Sequence, residues 1–280
     1  MTRQYSLSYL TLERDPAETI EHAATAGYDY VGVRILPAVE QGKAFPLFRD
    51  KALLAETMRR ARDTGIGVLD VEIARIDGRS GAEDWLPMLE AAGRLGARTV
   101  IAAGDDPDLS RMTDTFAALC AAAAPFGLTV NLEFTPWTAL RDARMALDVV
   151  TASGAANAEV LIDTIHVARS TTTLDDLRAI PPSRMSYIQI CDAPAGVPTS
   201  RDELLFTARQ ERLLPGEGGV DIEAQVAALP ASLIVSVEIP SHTRIASVGA
   251  AQWARRTLDV SRAAMERFDA ARQSPVPARV

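Results

Sequence analysis

The segment Leu233-Ile234-Val235-Ser236-Val237-Glu238 is apolar on both faces that an extended chain presents, and it stops at a carboxylate. A strand covered on one face alternates apolar and polar residues. One that is apolar on both must be covered on both, the situation of a parallel sheet. Val160-Leu161-Ile162-Asp163 reads the same way. Outward from these two, apolar, β-branched runs recur at 5–10, 30–35, 68–76, 99–104, 129–134, 160–165, 185–191 and 233–239. Between them lie Ala/Leu/Arg/Glu-rich stretches with helical spacing at 15–26, 52–64, 84–95, 110–124, 140–153, 221–228 and 247–268. Asp15-Pro16 is a helix start, and Gly27, Gly65 and Gly96 stand where a left-handed residue ends one. The stretch 171–178 is short and runs into Pro181-Pro182, so one outer helix is expected to shrink to a turn or two. Strands alternating with helices eight times predict an α/β fold, a single (β/α)8 barrel over 1–268. A doubly wound sheet would want G-x-G-x-x-G after an early strand, and this chain has none. The tail 269–280 is expected to fray.

With 280 residues, 48% hydrophobic and 24% charged, the chain can bury one large core. Its 29 basic and 37 acidic residues give a net charge of −8, an acidic field that argues against nucleic acid as a partner. Lys43 and Lys51 are the only lysines and both lie in one early connection, which disfavours Schiff-base chemistry. Cys120 and Cys191 are too few for a disulfide framework or a cysteine-based zinc site. No apolar run reaches membrane-spanning length, and the first residues lack a signal peptide's apolar stretch. A cytoplasmic protein is expected, and a homo-oligomer is compatible with the composition.

Barrel chemistry sits at the C-terminal ends of the strands, so the polar residues that end these runs are the candidates. The fifth run ends in Asn131-Leu132-Glu133, the sixth in Asp163, the seventh carries Gln189 and the eighth ends in Glu238. Three carboxylates in one apolar funnel repel one another, and a divalent cation keeps them ionised. His166 follows Asp163 by three residues. His22 reads as a surface or packing residue, and His242 in the last loop reads equally well as functional or structural.

Glu133, Asp163-Thr-Ile-His166, Tyr187-Ile-Gln-Ile-Cys-Asp192, Pro215-Gly-Glu-Gly218 and Val237-Glu238 together resemble the xylose isomerase-like TIM-barrel superfamily over nearly the whole chain. These motifs specify fold and metal site more than substrate. The resemblance implies one divalent metal held by Glu133, Asp163, Gln189 and Glu238, with the two glutamates flanking the substrate. Many sugar epimerases of this superfamily carry His where this chain has Gln189, and glutamine there resembles the 3-dehydroshikimate dehydratase branch. The superfamily's endonucleases use a His-rich three-zinc site, which three histidines cannot build.

An all-oxygen ligand set favours Mg²⁺ or Mn²⁺ over Zn²⁺. Such an ion polarises a carbonyl and eases removal of a neighbouring proton, the step shared by epimerisation, aldose–ketose isomerisation and dehydration. The expected function is therefore a metal-dependent sugar or sugar phosphate isomerase/epimerase acting on a small polyhydroxylated or carboxylated substrate. A dehydratase of the dehydroshikimate type is the alternative, and a non-catalytic binding barrel a second one. Glu133 and Glu238 are expected as base and acid, and His166 as a proton carrier. Arg169, together with Arg201, Arg209 and Arg212 in the segment 200–214, are candidates for gripping an anion. For the last three, a solvated amphipathic helix is the competing reading. Glu72 either binds substrate hydroxyls or pairs with an adjacent Arg, and Pro215-Gly216-Glu217-Gly218 reads as a turn.

Overall fold

Asp15 accepts hydrogen bonds from the Ala17 and Glu18 amides, Pro16 supplies a preset φ, and Gly27 at φ 95° closes the first full helix, Pro16–Ala26. The same grammar of an aspartate cap recurs at Asp50, Asp108, Asp142 and Asp221. Each of these helices returns the chain to the sheet. In the computed structural model, which describes residues 3–273, the strands are β1 (Tyr5–Leu7), β2 (Tyr30–Arg34), β3 (Gly67–Ile76), β4 (Thr99–Gly104), β5 (Thr129–Glu133), β6 (Ala158–Asp163), β7 (Tyr187–Ile190) and β8 (Ile234–Val237). They hydrogen-bond in sequence order, all parallel, and β8 pairs with β1 to close the barrel. This is the (β/α)8 architecture expected from the eight apolar runs.

Two cores result. The larger lies between strands and helices and includes Val100, Val130, Val160 and Val235 on the outward faces. A smaller one, Tyr30, Leu69, Ile73, Ile101, Leu161 and Tyr187, fills the barrel interior. Side chains alternate along a strand. Leu161 and Asp163 therefore share the inner face of β6, as Tyr187 and Gln189 share that of β7, and the apolar plug becomes the floor beneath the polar groups.

The connections differ from expectation in two places and agree with it in a third. β1 is shorter than the run 5–10 because Tyr9–Leu12 turns into helix. After β6 the chain forms only Thr164–Ala168, Leu174–Ala179 and a 3-10 turn at Pro182–Arg184, in keeping with the reduced outer helix expected there. The last helix, Ala250–Gln273, continues past Phe268 into the stretch expected to fray. Asp269 is held by the Arg3 guanidinium at 2.7 Å, and Arg272 donates to the Val226 and Leu229 carbonyls. The rest of that tail, 274–280, lies outside the described residues. Trp253, fully buried, donates from Nε1 to the Ile239 carbonyl at 3.0 Å and ties this helix to the exit of β8. Among the described residues no helix is long and apolar enough to cross a membrane.

One interior group carries a charge problem. Asp70 on β3 lies against Gly32 of β2, where a Cβ would come within 2.8 Å of Asp70 Oδ1. Its Oδ2 is buried without a hydrogen-bond partner. Burial, reinforced by Glu72 and Glu133 and opposed by Arg34, pushes the Asp70 carboxyl well above the usual range. A raised folded-state pKa means that stability is complete below the unfolded carboxyl range and is lost as pH rises through the folded value. Asp70→Asn, which cannot ionise, is therefore expected to melt higher than the native chain at about pH 8. The gap should shrink toward about pH 4, as thermal unfolding at the two pH values would show.

Candidate active site

Strand register gathers the expected residues at the C-terminal mouth. Asp163 ends β6 directly opposite Gln189 on β7, and Ile190 lies opposite Val237, so Glu238 emerges just beyond. Glu133 ends β5 beside Leu161, one inward position below Asp163. His166 sits on the turn Thr164–Ala168 that starts where β6 stops. Its Nε2 faces Glu133 Oε1 at 3.5 Å and Asp163 Oδ2 at 3.7 Å, and Trp137 packs edge-on at 5.1 Å to fix the ring. Glu133, Asp163 and His166 each bring a ligand atom within 4.8 Å of the others, a grouping able to hold a metal ion. Gln189 gives Nε2 to Glu238 Oε1 at 2.8 Å, while its Oε1 is buried with no hydrogen-bond partner. A buried carbonyl oxygen without a donor is what an oxygen-seeking cation would satisfy, so Gln189 could add an oxygen to the Glu133, Asp163 and His166 grouping, while Glu238 stands outside that grouping, tied to Arg212.

The buried centre of this arrangement is Arg212, which sequence reasoning left among the anion-gripping or solvated arginines. It is neither. Its Nη1 meets Asp163 Oδ2 at 2.7 Å, its Nη2 meets Glu238 Oε2 at 2.8 Å, and its Nε donates to the Ala208 carbonyl at 2.7 Å. Ser8 donates to Glu238 Oε1 at 2.7 Å from the far side. Burial works to raise the Asp163 pKa, yet Arg212, His166 and the Ile165 amide hold it below the usual carboxylate range. Burial pushes Glu238 well above its usual range against the pull of Arg212, with Asp163, Glu133 and Glu72 adding to the rise.

Arg212 is delivered by a loop with its own logic. Asp192 and Leu213 exchange backbone hydrogen bonds at 2.9 and 2.8 Å, which places Arg212 at the mouth. The Asp192 carboxylate in turn accepts from the amides of Gly216, Gly218 and Val220 at 2.9–3.0 Å and from Ala193 at 2.8 Å. The turn Pro215-Gly216-Glu217-Gly218 is thus a cradle of amides filled by a carboxylate of the same chain. A Cβ at Gly218 would fall 2.1 Å from the Ala193 carbonyl oxygen.

A cavity opens above these groups. Glu72 and Arg209 line it, as expected of substrate-binding residues, and so do Arg34, Arg75 and Trp137, which were not singled out. Arg34 ends β2 and could have been found by the strand-end rule applied to the later strands. It donates to Glu72 Oε2 at 2.6 Å, so Glu72 has the adjacent Arg as partner, while its Oε1 has none. Arg169 is misplaced in the sequence reading. It is buried away from the cavity lining and donates to the Pro194 carbonyl at 2.6 Å, bracing the loop after β7. His242, half exposed beside Glu13, is outside the cavity, and His22 pairs with Glu18 on its own helix.

A closed parallel barrel with carboxylates from successive strand ends meeting over an apolar floor is an enzyme-type mouth. The family described as xylose isomerase-like TIM barrel matches residues 20–264, and the chain belongs to that family. Inosose isomerase of Bacillus velezensis is 21% identical over 263 residues, covering 86% of this chain and 90% of the relative. The crystal structure of IOLI protein with a zinc atom superposes with a TM-score of 0.81 at 17% identity, over 95% of this chain and 99% of that one. D-allulose 3-epimerase from Methylomonas sp. superposes at 0.69 and 15% identity, over 94% and 99% of the two chains.

Two substitutions test the central tie. Arg212→Met leaves two buried carboxylates facing each other and is expected to cost about 3–5 kcal/mol in chemical denaturation. Gly218→Ala is expected to cost about 1–3 kcal/mol, because the cradle must open to admit the methyl group.

Proposed function

We propose that this chain is a divalent-metal-dependent sugar isomerase or epimerase that removes a proton from the carbon next to a carbonyl. The observation that carries the reading is the meeting of Glu133, Gln189 and Glu238, from the ends of β5, β7 and β8, in one cavity, with Asp163 of β6 buried behind Arg212 beside them and the Gln189 oxygen unpartnered. Names of similar proteins agree in kind: an inosose isomerase and a sugar epimerase. The four side chains would hold one ion, Mn²⁺ or Mg²⁺ by the hardness of an all-oxygen set. Bound there, the ion supplies charge stabilisation for a substrate carbonyl oxygen.

The chain's own residues do the rest. Glu133 stands on β5 and Glu238 after β8, so they approach a substrate from different sides of the mouth. Glu133, partly open to the cavity, is the base, and Glu238, facing it across the mouth, is the acid. His166, in reach of Glu133, carries the proton between the substrate and that carboxylate. Ile73, Ile101 and Ala103 line the cavity with apolar surface and keep competing water from the reacting carbons. The oxygen of Glu72 left free by Arg34 accepts a substrate hydroxyl.

Equilibrium dialysis against Mn²⁺ is expected to show one site that Glu133→Gln combined with Glu238→Gln abolishes. Incubation of the Mn²⁺-loaded chain in D₂O with an inosose and ketohexose panel is expected to wash deuterium into a substrate carbon. His166→Gln is expected to keep the metal and to lower exchange at least about 10²-fold. Absence of metal binding, or undiminished exchange in His166→Gln, would overturn the corresponding assignment. An aromatic near-ultraviolet band on incubation with 3-dehydroshikimate would replace isomerisation by dehydration.

A further inference from the structure

The helix Arg201–Gln210 ends by placing Arg209 in the cavity wall. Every other guanidinium lining this cavity has an acidic partner. Arg34 has Glu72 at 2.6 Å, Arg75 has Asp105 at 3.1 Å, and Arg212 is shared by Asp163 and Glu238. Arg209 has no hydrogen-bond or ion-pair partner among the described residues, although its side chain is partly buried. Desolvation, followed by repulsion from Arg34, Arg75 and Arg201, pulls its pKa below the ordinary guanidinium value. A cation withdrawn from water among other cations is unfavourable unless something of opposite charge comes to it. Of the carboxylates in the cavity wall, Glu133 offsets this in part, at a distance and without a hydrogen bond or ion pair.

The balance of the whole cavity points the same way. Four guanidiniums and four carboxylates line it, with Asp163 behind Arg212, so a divalent ion would leave the mouth net positive. Arg34 and Arg75 are already paired, so the excess rests on Arg209, which lies within electrostatic reach of both on the β2–β3 side. We infer that Arg209 is the seat of an anionic group on the substrate, a carboxylate or a phosphate monoester, held on the β2–β3 side of the mouth. The planar fork of a guanidinium with free donors suits either group. This rests on the reading of the cavity as the substrate site, and it narrows the substrate to an acidic polyol derivative over a neutral sugar.

Binding, measured without turnover, tests the seat separately from the reaction. Three open-chain six-carbon probes share a polyol chain and differ in one terminal group, neutral, carboxylate or phosphate monoester: glucitol, gluconate and glucitol 6-phosphate. Isothermal titration of the full chain at low salt is expected to show one of the anions binding about tenfold or more tighter than glucitol, and which anion wins identifies the group. In Arg209→Gln that preference should vanish while glucitol binding is unchanged, and Arg209→Lys should restore part of it. Arg209→Gln should melt no lower than the native chain, because it removes an unpaired, partly desolvated cation. Equal binding of all three probes, binding of none, a preference surviving in Arg209→Gln, or a large drop in its melting temperature would overturn the seat. An anion preference with no deuterium exchange on any sugar would sink the isomerase reading and leave the seat standing.

Discussion

Two carboxylates on different strands, both withdrawn from water, share one guanidinium. Asp163 closes β6, Glu238 leaves β8, and Arg212 spans them with contacts of 2.7 and 2.8 Å. Burying two negative charges this close would be prohibitive if they were alone, and burying the arginine alone would be equally costly. Held together, with the Ala208 and Glu238 carbonyls taking further donors and Ser8 and Gln189 completing Glu238, the three satisfy one another. The loop after β7 is shaped to make this possible. Asp192 organises the glycine-rich turn with its carboxylate and the strand-like bridge to Leu213 with its backbone, and Arg212 is carried in beside that bridge.

From that tie follows the polarity of the mouth. Strand-end acids span the arc from β5 to β8, where Glu133 remains the most accessible of them, and Arg34 and Arg75 stand on β2 and β3, each paired with a carboxylate. Beneath both lies an apolar plug from Leu69, Ile73, Ile101, Leu161 and Tyr187, which lowers the local dielectric and makes each charge count for more. A small polar molecule entering such a cleft meets hydrogen-bond acceptors and proton-carrying groups at one end and unspent positive charge at the other. Among the buried polar atoms without a partner, Gln189 Oε1, Glu72 Oε1 and His166 Nδ1 belong to side chains that line the cavity, where a ligand can reach them.

Much of this was legible along the chain. Glu133, Asp163, Gln189 and Glu238 each interrupt an apolar run at its end, and such an interruption has one meaning in a parallel barrel, because all strands point their C-termini to one face. The helix caps were legible for the same local reason: aspartate and glycine act on amides within a few residues of themselves. Arg169 and Arg212 were not. Arg169 reads as a substrate grip beside the sixth strand and Arg212 as that or as part of a solvated helix, and both end up buried, one bracing Pro194 and the other between strands that are 49 and 26 residues away in sequence. Only the path of the loop decides which arginine of Ser200–Leu214 faces water, which faces the cavity and which enters the core. The persistence of the last helix beyond Phe268 was hidden likewise, since its support comes from Arg3 at the other end of the chain.

Periodicity and strand-end residues, acting through local sterics and the need to cover apolar faces, determine by themselves that this chain closes into a (β/α)8 barrel with carboxylate and amide side chains at its mouth. What the tertiary structure alone decides is how charge is distributed over those groups. Electrostatic partnership depends on through-space distance and on exclusion of water, and neither is written in sequence separation. Thus Arg212 becomes a structural counter-ion, Arg34 is occupied by Glu72, and Arg209, close to Arg212 in sequence, is left with its charge free in the cavity.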